Sequence, residues 1–294
     1  MHTILFARLL SPSKISIENS LACSITLNPF YQTKELRLYL TFSMKAWHKD
    51  GATGEHPEPW GLPGVFTTVR VGTGKKISFF DSHLDRLIDS ANRAELPWVP
   101  SPEDITTKVE VFMADIDPNH GLMRICLFEN LIGMSSRPVE SDGNPVEGWL
   151  LHYRRPDPVI KSTKEKELYG SMGELEITKE DWVIIDPKDN DIRETATSNL
   201  IFAKEEQLLI PDKWVLNGIV LQQLLPFLRD RFTVTSGLPQ DQDISSFDEI
   251  LLCGTGRGVA PLTALSELGW SSQGNEIFST IRAHYEEIIE SSYA

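Results

Sequence analysis

Arg154-Arg155-Pro156-Asp157-Pro158 sits near the middle of the chain and limits what can fold around it. Proline fixes φ, lacks an N–H and pushes the preceding residue to extended backbone, so neither a helix nor a central strand runs through this pentapeptide. It reads as a connector. On its N-terminal side, Val65-Phe66-Thr67-Thr68-Val69-Arg70-Val71 has the β-branched richness of a strand, Gly72-Thr73-Gly74 is a turn, and residues 77–80 read as the returning strand. Leu84, Leu87, Ile88 and Ala91 recur at helical spacing behind Ser82, the expected cap. Ser101-Pro102-Glu103-Asp104 opens a second helix. Residues 122–128 and 149–153 read as strands, and 137–148, rich in Pro, Gly, Ser and Asp, as a loop.

On the C-terminal side, residues 182–186, 199–203, 208–210 and 249–253 read as strands. Residues 219–232 and 275–292 read as helices, the second with Ile277, Ile281, Tyr285, Ile288 and Ile289 on one face. Pro226 is expected to kink the first of these. The chain is therefore read as α+β, with a small N-terminal domain at 44–153 and a larger C-terminal domain at 154–294. Residues 1–43 stand apart: they carry a net charge of +2, leaving −16 for the rest, and Met44 sits at the break. They read as an extension, either an upstream start or a poorly ordered lead, with a targeting segment as the other reading.

Charge narrows the partners. The formal net charge is −14 over 294 residues, with a pI near 5.0, whereas phosphate backbones select clustered Lys and Arg. No nucleic acid is expected. No apolar run reaches the ~18 residues that cross a bilayer, so no membrane is expected either. Cys23, Cys126 and Cys253 are far apart and show no metal-ligand spacing. That pattern disfavours disulfides and a metal site and suits a soluble protein of the reducing cytoplasm.

Two glycine-rich places could carry chemistry. Gly72-Thr73-Gly74-Lys75-Lys76 lacks the spacing of a phosphate loop and reads as a hairpin turn. Gly254-Thr255-Gly256-Arg257-Gly258 follows a strand; its N–H groups could cradle an anion, or it is a structural turn. Read by itself, Lys161 is a solvated lysine beside Lys164 and Lys166.

Taken in order, the segments at 64–71, 79–91, 158–162, 192–202, 215–219 and 251–262 resemble the class IV aminotransferases, the fold-type IV pyridoxal-phosphate (PLP) enzymes. The resemblance covers about two thirds of the chain. It implies a D-amino acid aminotransferase-like fold of two domains, PLP as cofactor and a homodimer. Lys161 matches the lysine that forms the Schiff base, and Glu194 in Arg193-Glu194-Thr195 matches the glutamate that bonds the pyridine nitrogen and keeps it protonated. The other reading of Glu194 is a surface glutamate after the turn at 186–191, against which its place just before Thr195–Asn199 and a buried strand argues. Arg86, Ile219, Val220 and Thr255 match the positions that hold the cofactor's phosphate by a cation, main-chain N–H groups and a hydroxyl.

Within that family the branches differ at the substrate. The D-amino acid branch carries an Arg-x-His pair where this chain reads Gly133-Met134-Ser135-Ser136-Arg137-Pro138, without histidine. The branched-chain branch carries Phe-Glu-Gly where this chain has Phe66-Thr67-Thr68. The string Phe66–Val71 looks more like the aminodeoxychorismate lyases, which form 4-aminobenzoate and pyruvate for folate synthesis. An amino-acid transaminase of the branched-chain or D-amino acid type is the alternative, and a catalytically inactive PLP-fold binding module is the reading from outside the enzymes. Thr68, Arg70, Arg124 and Arg257 are the expected contacts to an anionic amino substrate; Arg257 is also readable as a helix cap.

Overall fold

Alternation along Gly64–Val71 decides which residues face a core and which face a cavity. In the computed structural model, which describes residues 43–115 and 121–293, five strands form an antiparallel sheet. They are β1 (Met44–His48), β2 (Thr53–Gly54), β3 (Gly64–Val71), β4 (Gly121–Phe128) and β5 (Leu131–Pro138), in the order β2-β1-β5-β4-β3. Helices α1 (Phe80–Arg93) and α2 (Pro102–Asp115) cover one face. Successive strand residues point to opposite faces. Val65, Val69 and Val71 therefore pack with Met123, Ile125 and Leu127 against Leu84, Leu87 and Phe112 of the helices. Phe66, Thr68 and Arg124 lie on the other face, with Thr68 directly opposite Arg124 across the β3–β4 ladder. The extension read at 1–43 lies, Ser43 apart, outside the described residues.

Three local expectations shift. Residues 77–80 make only a Val71–Ile77 bridge, because the chain turns through Phe79 at φ 50 and enters α1 at Phe80, without the Ser82 cap. Ser101, by contrast, does cap α2, its Oγ accepting from Asp104 N–H at 3.1 Å. Residues Leu131–Pro138 are a strand although Gly133, Ser135 and Ser136 favour none, since β1 and β4 bracket them on both edges.

The second sheet has nine strands: β6 (Val146–His152), β7 (Glu180–Ile185), β8 (Ile192–Thr195), β9 (Asn199–Lys204), β10 (Gln207–Ile210), β11 (Thr233–Ser236), β12 (Glu249–Gly254), β13 (Gly258–Leu265) and β14 (Trp270–Ser271). Its order is β11-β10-β9-β12-β13-β6-β7-β8, with β14 on β13, and a β8–β9 pairing closes six of the strands into a ring. Leu200 and Phe202 point into the ring with Ile250, Leu252 and Leu262, whereas Ile201, Ala203 and Leu251 face the helices α4 (Ile219–Arg231) and α5 (Glu276–Ser291). On α5 the buried residues are Ile281, Tyr285 and Ile289. Pro226 lies inside α4, which continues through it.

The strand read at 149–153 belongs to this larger sheet, pairing with β7 and β13, so the chain passes from one sheet to the other at 139–145. Arg154–Pro158 follows, and leads to the short helix α3 (Lys166–Ser171) by way of Lys161. The loop between them is tied back to β3: Phe66 N–H donates to Lys161 O at 2.9 Å and Thr163 N–H to Gly64 O at 3.0 Å. Lys161 is thereby held between the two sheets. Among the described residues no helix is long and apolar enough to cross a membrane.

Candidate active site

A cavity of about 360 Å³ opens where the free face of the small sheet meets the β8–β9, α4 and β12–β13 ends of the larger one. Lys161 and Glu194 line it, and so do Arg86, Ile219, Val220 and Thr255. Residues from segments more than 150 positions apart in sequence are brought to one space.

Lys161 has its amine over the Phe66 ring, 4.8 Å from the centroid. Burial and the positive fields of Arg86 and Arg155 outweigh the pull of Glu194 and Glu165, and its pKa falls to about 7. An amine in that state is substantially neutral at physiological pH and is a nucleophile and a base. The side chain is half-buried, lining the cavity.

Glu194 is buried on β8, with one carboxylate oxygen accepting from Arg155 Nη1 at 2.6 Å and the other from Leu216 N–H at 3.2 Å. The surface reading of this residue is excluded. Arg155 also forks onto Glu165, at 3.0 Å from Nε and 2.7 Å from Nη2, and reaches Pro158 O and Ile160 O at 3.4 Å each. The two glutamates hold its guanidinium pKa well above the ordinary value despite burial. Sequence reading placed Arg155 in a connector and gave it no role.

Arg86 has two of its three nitrogens engaged: Nη1 on Asn217 O at 3.3 Å and Nη2 on Thr67 Oγ1 at 3.1 Å. Its Nε is buried without a partner, and burial lowers the guanidinium pKa to about 10. Beside it α4 begins at Ile219 with no side chain capping its N–H groups. Such a helix start attracts anions through its free donors and its dipole. Gly218 is needed there, because a Cβ would lie 1.8 Å from Asn199 Oδ1, whose amide holds Leu216 O at 2.8 Å.

The four expected substrate contacts separate. Thr68 and Arg124 line the cavity, with Arg124 stacked over Trp60 at 4.6 Å and its Nε buried without a partner. Arg257 lines it too, anchored through Nε to Asp181 at 3.3 Å and through Nη2 to Ile177 O at 2.9 Å, with Nη1 left unpartnered. Arg70 is the exception. Its donors are consumed by Thr255 O at 2.9 Å, Gly256 O at 3.3 Å and Asp142 at 2.6 Å, so it braces the Thr255 turn from outside the cavity lining. Two more residues escaped the sequence reading. Arg137 adds a third guanidinium to the wall, its pKa lowered by burial and by Arg124 and Arg257. Tyr169 stacks on Trp60 at 4.2 Å, with burial raising the phenol pKa.

The donor set suits a phosphorylated aromatic aldehyde: a near-neutral amine, a buried carboxylate, and an unpartnered arginine nitrogen beside a free helix start. The comparisons with known proteins agree. Residues 64–265 match the model of the family "Amino-transferase class IV". The chain belongs to the class IV aminotransferases. It is a PLP-dependent enzyme of mixed helix and sheet, acting on an amino acid-like substrate.

Solved structures of the same fold include a hypothetical aminotransferase of Mycobacterium tuberculosis in its PLP-bound form, 19% identical, TM-score 0.69, covering 84% of this chain and 99% of that one. A branched-chain aminotransferase from Thermoproteus uzoniensis is 16% identical, TM-score 0.73, with 85% and 95% covered. The branched-chain aminotransferase of Escherichia coli is 14% identical, TM-score 0.70, with 83% and 94% covered. No curated protein sequence matches this class IV aminotransferase.

Proposed function

We propose that this class IV aminotransferase is an aminodeoxychorismate lyase, releasing 4-aminobenzoate and pyruvate, with Lys161 as its reactive amine. The observation that carries the reading is the wall of Arg124, Arg137 and Arg257 along the cavity, where two buried guanidinium nitrogens have no partner. A buried donor left without an acceptor costs about 1–3 kcal/mol, more for a charged group. A branched-chain amino acid brings one carboxylate to this wall, whereas a dicarboxylate such as aminodeoxychorismate can answer both donors. The protein is acidic overall, but this wall reverses the local field.

Five residues hold the cofactor in this reading: Arg86, Thr255 and the N–H groups of Ile219 and Val220 take the phosphate, and Glu194 takes the ring nitrogen. When bound, PLP supplies the electron sink that makes a carbon next to the substrate's nitrogen acidic. Lys161, with its amine near neutral in the cavity, would take the proton from that carbon as general base. In the lyase the ether bond on the neighbouring carbon then breaks, pyruvate leaves, and the ring becomes aromatic. No oxidant or second substrate is required. Arg155 holds Glu194 in place throughout by its 2.6 Å bond.

The transaminase reading draws on the names of the structural neighbours from Thermoproteus uzoniensis and Escherichia coli, both branched-chain aminotransferases. One experiment separates the two. Purified enzyme with PLP is given aminodeoxychorismate and no keto acid, and 4-aminobenzoate is followed by its fluorescence. The lyase reading expects turnover. Inertness there, together with turnover of amino acids only when a keto acid is added, gives the function to the transaminase.

A further inference from the structure

Thr67 points away from the cavity, into the packing between β3 and α1, yet its hydroxyl touches two functional-looking side chains. Its Oγ1 lies 2.9 Å from His83 Nδ1 and accepts from Arg86 Nη2 at 3.1 Å. Thr67 and His83 are both buried, at 0% and 1% exposure. A hydroxyl has one proton to give. If Arg86 donates to Thr67, giving that proton to an unprotonated His83 Nδ1 pairs both the hydroxyl hydrogen and the ring acceptor, whereas the opposite direction leaves the hydroxyl hydrogen and the Nε2 acceptor unpaired. His83 then carries its hydrogen on Nε2, which has no partner in the structure. A protonated His83 would instead aim an N–H at the same oxygen, and burial beside Arg86 and Lys161 opposes that form.

From this geometry we infer that His83 and Thr67 form a positioning pair, which turns a hydroxyl lone pair toward Arg86 and so aims its guanidinium at the phosphate of the cofactor. The inference rests on the reading of Arg86 as the phosphate cation. His83 and Arg86 are one helical turn apart on α1, so the pair acts on the same helix face that must present the cation. Asn217 O fixes Nη1, Thr67 fixes Nη2, and Nε is left to the ligand. Neither Thr67 nor His83 lines the cavity, and both act through Arg86 alone.

The test is a titration of the apo-protein with PLP and, separately, with pyridoxal, which lacks the phosphate. Thr67→Val and His83→Leu should weaken PLP binding at least about tenfold, the factor that 1.4 kcal/mol gives, while pyridoxal binding stays within about twofold. Thr67→Ser and His83→Asn, which restore the hydroxyl and an acceptor at the δ position, should recover PLP affinity. Equal weakening of both ligands would show a merely structural pair and overturn the inference. So would unchanged PLP binding in either variant when Arg86→Ala weakens it. Should Thr67→Val fail to fold, the two His83 variants decide alone. If Arg86→Ala itself leaves PLP affinity unchanged, the phosphate reading of Arg86 falls first, and the positioning role falls with it.

Discussion

Arg155 donates to Glu194 at 2.6 Å across 39 residues of chain, from the loop that carries Lys161 to the strand that carries the buried carboxylate. Glu165 completes the clamp on the same guanidinium. One side chain thus ties the loop of Lys161 to the buried carboxylate that lines the same cavity. Its positive field also helps lower the Lys161 pKa, so position and reactivity share a cause.

Removing that clamp should be expensive. Arg155→Met leaves two buried glutamates without their cation, and breaking a buried pair costs about 3–5 kcal/mol. Urea unfolding of the apo-protein should show a loss of that size. A midpoint within error of the wild type would mean that water or Lys161 replaces the arginine.

Glu194→Gln keeps the shape and the acceptor for Arg155 but loses the charge. The fold should persist, with turnover at saturating PLP lower by about 10- to 150-fold, the range of one charge-assisted hydrogen bond. Unchanged turnover would contradict the assignment of Glu194 to the ring nitrogen.

Lys161 links stability to pH in a direction that its lowered pKa fixes. Unfolded, the amine titrates near 10.5; folded, it titrates at about 7. Between those values the unfolded chain binds more protons, so the Lys161 contribution to stability rises with pH and is least below 7. Apo wild type should gain stability relative to Lys161→Met from pH 7 to pH 10. A flat difference across that window would place the amine in ordinary solvent. The same lysine should carry the pyridoxyl group after borohydride reduction and peptide mapping; label on Lys164 or Lys166 would move the site.

Much of this was legible because it is local. The β-branched run at Val65–Val71 has one period and one outcome, and the helical stripe of Leu84, Leu87 and Ala91 packs as its spacing implies. Ordered motifs single out Lys161, Glu194 and Arg86, and all three line one cavity. What stayed hidden depends on partners far away in sequence. Arg155 looks like solvated charge until Glu194 and Glu165 are beside it. Arg70, on the strand face that also carries Thr68, looks like a ligand until the carbonyls of Thr255 and Gly256, about 185 residues on, absorb its donors. Leu131–Pro138 has glycine and serine where a strand wants branched residues, and only its two neighbours make it one.

Gly218→Ala tests the helix start proposed to hold the phosphate. The new Cβ would sit 1.8 Å from Asn199 Oδ1, so the asparagine must leave Leu216 O or the backbone must shift. Overpacking of this kind costs about 1–3 kcal/mol. Because the displaced backbone carries the N–H groups of Ile219 and Val220, PLP affinity should fall along with thermal stability. Loss of stability with unchanged affinity would remove those groups from the phosphate.

Arg124→Met decides what the arginine wall is for. The substitution keeps an unbranched stem against Trp60 and Phe66 and removes the charge that now lies 4.6 Å and 5.6 Å from their rings. For an anionic substrate it deletes a charge-assisted bond of about 1.5–3 kcal/mol, so kcat/KM should fall roughly 10- to 150-fold. For a branched-chain amino acid, whose one carboxylate can be met by Arg257 alone, kcat/KM should hold or rise, because the buried unpartnered Nε disappears and the pocket becomes more apolar. Arg257 offers an independent check, since its Nη1 is unpartnered while Asp181 and the Ile177 carbonyl hold the rest of the guanidinium in place. Arg257→Met should repeat the loss on aminodeoxychorismate. A gain on leucine or valine with a keto acid in both variants would assign the cavity to a transaminase and leave the three guanidiniums of the wall without a ligand.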